Sequence, residues 1–180
     1  MNWATWLLNA PSFHSLLERF LFKIYTPCEQ DGITIYADPA DGPVEQAYEW
    51  IASARRLLRR VDPARSRRVE SLLRNIVVKE GVPTQYWHAT QTCCVERKML
   101  ETSSDALIAS YLVHEAAHAR LHRRGIETTP RSTARVEAAC IRDQIAFLNR
   151  LPRDQYPTAD RLIEYYANIA ARGLEANGRG

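Results

Sequence analysis

Val113-His114-Glu115-Ala116-Ala117-His118-Ala119-Arg120-Leu121 decides the reading of this chain. Two histidines four apart on a helix share one face, with a rise of about 6 Å between them. Both imidazoles can then lean onto one metal ion, with bonds of about 2.0–2.1 Å. Glu115 projects beside them and can reach a water on that ion without ligating it. Zinc lowers the pKa of such a water to about 7, and a carboxylate there can take its proton as hydroxide attacks a carbonyl. The H-E-x-x-H spacing therefore points to metal-assisted hydrolysis. Ala116, Ala117 and Ala119 are small enough for a neighbour to approach closely. Leu107, Tyr111, His114, His118 and Leu121 form a stripe expected to face inward.

Working outward, Thr102-Ser103-Ser104-Asp105 supplies helix-capping chemistry, and Gly125 stops a helix that starts at Ser104 and runs to about residue 124. Thr128-Thr129-Pro130 opens a second helix to about residue 150, halted by Pro152, and Pro157 opens a third that fades near Gly173. On the other side the pattern changes. Residues 12–25 carry apolar side chains at helical spacing, and 33–36 alternate as a short strand. Asp41-Gly42-Pro43 opens a helix to about residue 60, and a further helical piece spans 63–73. Residues 75–79 read as an Ile-Val-Val strand ended by Gly81-Val82-Pro83. Residues 85–99, rich in β-branched, aromatic and cysteine side chains, hold one or two strands. The order gives an α+β domain over 1–180, with the sheet in the first half and helices in the second.

Two histidines need a third protein ligand. His122 follows His118 by four but stands about 12 Å of helix rise from His114, too far to share one ion, and reads as a solvated side chain. The longer H-E-x-x-H-x-x-G-x-x-H pattern fails, because Leu121 and Arg124 occupy its Gly and final His positions. Glu137, separated from His118 by eighteen residues and on the next helix, is the better candidate. Its stripe neighbours Ala134, Ile141 and Leu148 place it on the core side, where a carboxylate is costly unless paired or bound to metal.

This set resembles the gluzincin metallopeptidases, whose pattern is H-E-x-x-H on one helix and a Glu ligand on the following one. It maps onto His114, Glu115, His118 and Glu137, with Ala138 and Ala139 after the Glu. The short chain is most similar to the compact minigluzincins, over about residues 90–151. The resemblance implies a small, mostly antiparallel sheet packed on the active-site helix. It also implies a zinc ion and an edge strand, within 91–99, that pairs with an extended peptide or protein substrate. It further implies an oxyanion stabiliser downstream of the Glu ligand, with Tyr156, Tyr165 and Tyr166 as candidates and His88 and Tyr111 as weaker ones. Where some gluzincins place an acidic residue four after the Glu ligand, this chain has Ile141. Asp143, another group or a backbone carbonyl is then left to orient a histidine. No motif for gripping a substrate amine is present. A peptidase-like domain that binds zinc and a partner protein without hydrolysis is the alternative reading.

Composition agrees with a globular protein. Of 180 residues, 46% are hydrophobic and 25% charged, which excludes a disordered chain. A net charge of +3 argues against nucleic acid as a partner. The Arg cluster Arg55, Arg56, Arg59, Arg60, Arg65, Arg67 and Arg68 lacks interleaved aromatics and reads as a solvated helix face. No apolar run is long enough for a membrane span. Cys28, Cys93, Cys94 and Cys140 form no C-x-x-C pair, so a reducing, cytoplasmic setting is expected, with the thiols as small core residues. Oligomeric state is not legible.

Overall fold

The computed structural model describes residues 25–177 apart from 89, 130 and 131, with side chains as far as 174. The helix expected over 12–25 lies outside the described residues, Tyr25 excepted. The first elements are strands β1 (Thr26–Gln30) and β2 (Ile33–Ala37). They pair antiparallel around a two-residue turn in which Asp31 has φ +47° and Gly32 φ +76°. Both angles positive is the hairpin turn whose twist suits its strands, and an Asp-Gly pair reaches it at little cost. Helices α1 (Val44–Val61) and α2 (Pro63–Leu72) follow, joined at Asp62. Strands β3 (Asn75–Lys79), β4 (Gln85–Trp87) and β5 (Thr92–Glu96) complete the sheet. A short helix α3 (Arg97–Thr102) then leads into α4 (Asp105–Arg123), α5 (Thr133–Leu148) and α6 (Ala159–Asn177).

The architecture is α+β, but the sheet is not mostly antiparallel. Its order is β1-β2-β3-β5-β4, with β2–β3 and β3–β5 parallel and only the two outer pairs antiparallel. The α1–α2 crossover returns the chain to run β3 alongside β2 in the same direction, as a parallel neighbour requires. The chain then steps outward to β4 and back, so that β5 slots between β3 and β4. The edge strands are therefore β1 and, on the side of α4, β4. The stretch 91–99, expected as the edge, holds the internal strand β5 and the start of α3.

Strand β5 is covered on both faces. Cys93 and Val95 join Ile33, Ile35, Ile76 and Val78 in the main core under the helices, whereas Cys94 joins Tyr25 and Val77 on the reverse. Neighbours on a strand point to opposite sides, which is why adjacent cysteines fall in different clusters. The Arg cluster is not wholly a solvated face. Arg55 is 3% exposed and donates to the Gln30 carbonyl at 2.7 Å. It ties α1 to the first hairpin.

Helix α4 is placed by its caps and its small residues. Ser104 accepts from the Leu107 amide at 3.3 Å, and Gly125, at φ +74°, ends the helix. Ala106, Ala109, Ala116 and Ala119 are buried and let α4 lie close to its neighbours, which are α1, α2, α5 and strand β4. The expected inward stripe Leu107, Tyr111, His114, His118 and Leu121 is only half-buried, because the deepest side of the helix is the one bearing Ile108, Leu112 and Glu115. The half-buried stripe is therefore free to line a cleft.

Candidate metal centre

His114 and His118 stand one turn apart on α4, with their Nε2 atoms 3.2 Å from each other. The loop after α4 reverses the chain, helped by Thr129 and Ser132, whose side chains bond each other's amides at 2.8 and 3.2 Å. Helix α5 then lies against α4 and carries Glu137 to the histidines. One carboxylate oxygen is 3.4 Å from His114 Nε2 and the other 3.2 Å from His118 Nε2. Glu137 is 40% exposed at its side chain, so it forms a cleft wall and is not a core residue. The imidazoles of His114 and then His118 hold its carboxyl far below the usual range.

These distances fit a tetrahedral metal. Bonds of about 2.0–2.1 Å at tetrahedral angles set donor atoms about 3.3–3.4 Å apart. The two ring nitrogens sit 3.2 Å apart, and each has a different oxygen of Glu137 at 3.2–3.4 Å. A second donor set overlaps the first: His114, His118 and Cys140 have ligand atoms within 4.8 Å of one another and could also hold a metal ion. Cys140 lies one turn beyond Glu137, fully buried among Ala117, Val136 and Leu121. Burial pushes its thiol well above the ordinary value. A bound cation would offset that shift, so Cys140 stands as an alternative third donor beside Glu137, which differs in lying open to the cleft.

Glu115 is 4% exposed. Burial pushes its carboxyl up to about 7, partly offset by His118 and reinforced by Glu137. The Tyr86 backbone N–H, on edge strand β4, donates to it. Glu115 is thus fixed between α4 and the sheet edge. The cleft above has a volume of about 250 Å³. Thr84, Gln85, Tyr86, His88 and Thr128 line it together with the four motif residues. His88 stacks on His122, with ring centroids 4.3 Å apart, so His122 is exposed but not free of contacts.

Several expected residues lie elsewhere. Tyr156 accepts from Arg60 at 3.2 Å, Tyr165 is 59% exposed, and Tyr166 is buried against Tyr111 and Gln144. None of the three lines the cleft, because α6 packs behind α5 and not over the histidines. Asp143 does not orient a histidine. It faces away and pairs with Arg120 at 2.8 Å, Arg65 at 3.3 Å and Arg68 at 3.4 Å. The partner of His114 is Gln144, whose Oε1 lies 3.2 Å from Nδ1. Sequence reasoning missed Gln144, since a single amide carries no periodic signal. It also missed Cys140, although the spacing of three from Glu137 puts both on one helix face.

No family model, curated protein or solved structure matches the chain.

Proposed function

We propose that this protein is a zinc-dependent hydrolase of peptide bonds, similar to the gluzincins. His114, His118 and Glu137 would hold the ion. The observation that carries this is the meeting of two imidazoles and a carboxylate at 3.2–3.4 Å beside a buried Glu115. When bound, zinc supplies Lewis acidity, which polarises a carbonyl and acidifies water. Glu115 takes the proton of the attacking water and passes it to the leaving amine nitrogen as the C–N bond breaks. The Tyr86 amide keeps the base aimed while this happens.

Strand β4 borders the cleft, and an extended substrate segment would lie along this edge by main-chain hydrogen bonds. Among the described lining residues, the only carboxylates are Glu115 and Glu137, both occupied by the chemistry. That leaves nothing to grip a free amino terminus and favours cleavage within a chain. Among the described residues no helix is long and apolar enough to cross a membrane.

The test is hydrolysis of denatured casein by the zinc-loaded protein, with and without chelator, beside Glu115→Gln. The expected result is chelator-sensitive cleavage that Glu115→Gln abolishes while keeping its zinc. Equal cleavage by that variant would remove the proposed base. Zinc binding without cleavage of casein or of a mixed peptide pool would favour the non-hydrolytic, partner-binding reading.

A further inference from the structure

The hydrogen bonds behind His114 leave little choice of proton positions. Ser110 has one hydroxyl proton, which it donates to the Leu107 carbonyl at 2.8 Å. Its oxygen must therefore accept from Gln144 Nε2 at 3.0 Å. Gln144 is 1% exposed, and its amide nitrogen is committed to Ser110, with Tyr166 packed against the same amide. Its Oε1 carries only lone pairs and meets His114 Nδ1 at 3.2 Å. Nδ1 must then bear the ring proton. In the neutral ring that leaves the lone pair on Nε2, and Nε2 is the atom that faces His118 and Glu137.

We propose that Gln144 is the positioning residue of this centre: with Ser110 and Tyr166 it locks His114 in the tautomer whose Nε2 lone pair points at the metal, using an amide where a carboxylate would commonly serve. The proposal rests on the metal reading above. A carboxylate partner would raise the basicity of the ring and could itself take up a proton. The amide raises it less and takes up no proton, so its main effect is to fix the direction of the lone pair. Ser110 on α4, Gln144 on α5 and Tyr166 on α6 thereby tie three helices to the proton position of one imidazole.

The test uses the full chain and two variants. Gln144→Met keeps the volume and removes the acceptor, and Gln144→Glu keeps an acceptor toward Nδ1. The first readout is nitrogen NMR of the metal-free protein, above the pH at which imidazoles titrate. His114 is expected as the Nδ1–H tautomer in the wild type and in Gln144→Glu, and to lose that preference in Gln144→Met. The second is zinc affinity by competition with a chromophoric chelator. Gln144→Met is expected to bind zinc about 10–100-fold more weakly, with Gln144→Glu at or above wild-type affinity. A wild-type His114 protonated on Nε2 would overturn the proposal, as would a folded Gln144→Met with unchanged tautomer and affinity. Should Gln144→Met fail to fold, the wild-type spectrum and the affinity of Gln144→Glu decide. A wild type that binds no zinc would instead sink the metal reading, while the metal-free spectrum would still report on the tautomer.

Discussion

A carboxylate oxygen of Glu137 stands 3.2 Å from Nε2 of His118, although the two residues belong to different helices. Nothing local brings them together. The approach depends on α4 and α5 packing closely, which the buried Ala116, Ala117 and Ala138 permit. A carboxylate, two imidazoles and a second, buried carboxylate then share one small cleft. That convergence of donors, two of them from different helices, is why we propose a metal site in this cleft.

Glu115→Gln keeps the shape of the site and removes the base. The expected loss in casein cleavage is about 10²–10⁴-fold, the usual contribution of a positioned general base. Zinc content by elemental analysis is expected to stay near that of the wild type, because Glu115 is not among the donors.

Metal removal is expected to loosen the α4–α5 pair. Zinc at a hundred times its Kd stabilises the folded state by about 2.7 kcal/mol, which for a chain of this length is a rise in Tm of about 5–10 °C. Calorimetry with zinc and then with excess chelator reads it directly. His118→Ala is expected to abolish the zinc-dependent part of the shift.

Tyr165→Phe and Tyr156→Phe are expected to leave casein cleavage unchanged, since one hydroxyl projects into solvent and the other accepts from Arg60. Loss of kcat in either would show that the segment from Tyr156 to Tyr165 reaches the cleft during turnover.

Asp62 carries a prediction about stability that is independent of the metal. It caps α2 by accepting from the Arg65 amide at 3.1 Å, binds the Arg65 guanidinium at 2.5 Å, and meets Arg150 at 3.3 Å. Burial acts to raise its carboxyl, but the hydrogen bonds from Arg65 outweigh it, and the net shift is downward. A carboxyl whose folded value is depressed stabilises the fold above its unfolded value of about 3.9. That stability is lost as pH falls through the folded value. Asp62→Ala is expected to cost about 3 kcal/mol in urea unfolding at pH 7, from a lost cap and a stranded guanidinium. The difference from wild type is expected to shrink below about pH 4.

Much of the fold was legible where local signals are strong. Residues 75–79 form β3 with the bounds expected, because a β-branched run stands between a helix and the turn around Gly81. Capping at Ser104 and the stop at Gly125 marked α4 to within a residue or two. Strand β1 was missed, as Thr26-Pro27-Cys28-Glu29-Gln30 lies at an edge and carries little apolar pattern. The start of helix α3 falls inside the stretch 85–99 expected to hold one or two strands, because Arg97 to Met99 follow a β-branched run without a break. Strand direction was illegible, since pairing depends on where crossovers land and not on side-chain alternation. Within the site, His114, Glu115 and His118 followed from spacing, and Glu137 from the helix period. Gln144 and the Tyr86 amide could be found only in three dimensions, because one is a lone polar side chain and the other is backbone.

X-ray absorption at the zinc edge of the metal-loaded protein tests the centre most directly. The expected spectrum shows one zinc per chain with nitrogen and oxygen donors alone, at about 2.0–2.1 Å, as two imidazoles, one carboxylate and one exchangeable position require. A sulfur donor at about 2.3 Å would place Cys140 on the metal in place of Glu137 and contradict the donor set proposed here, and failure to retain zinc at all would contradict the metal reading outright.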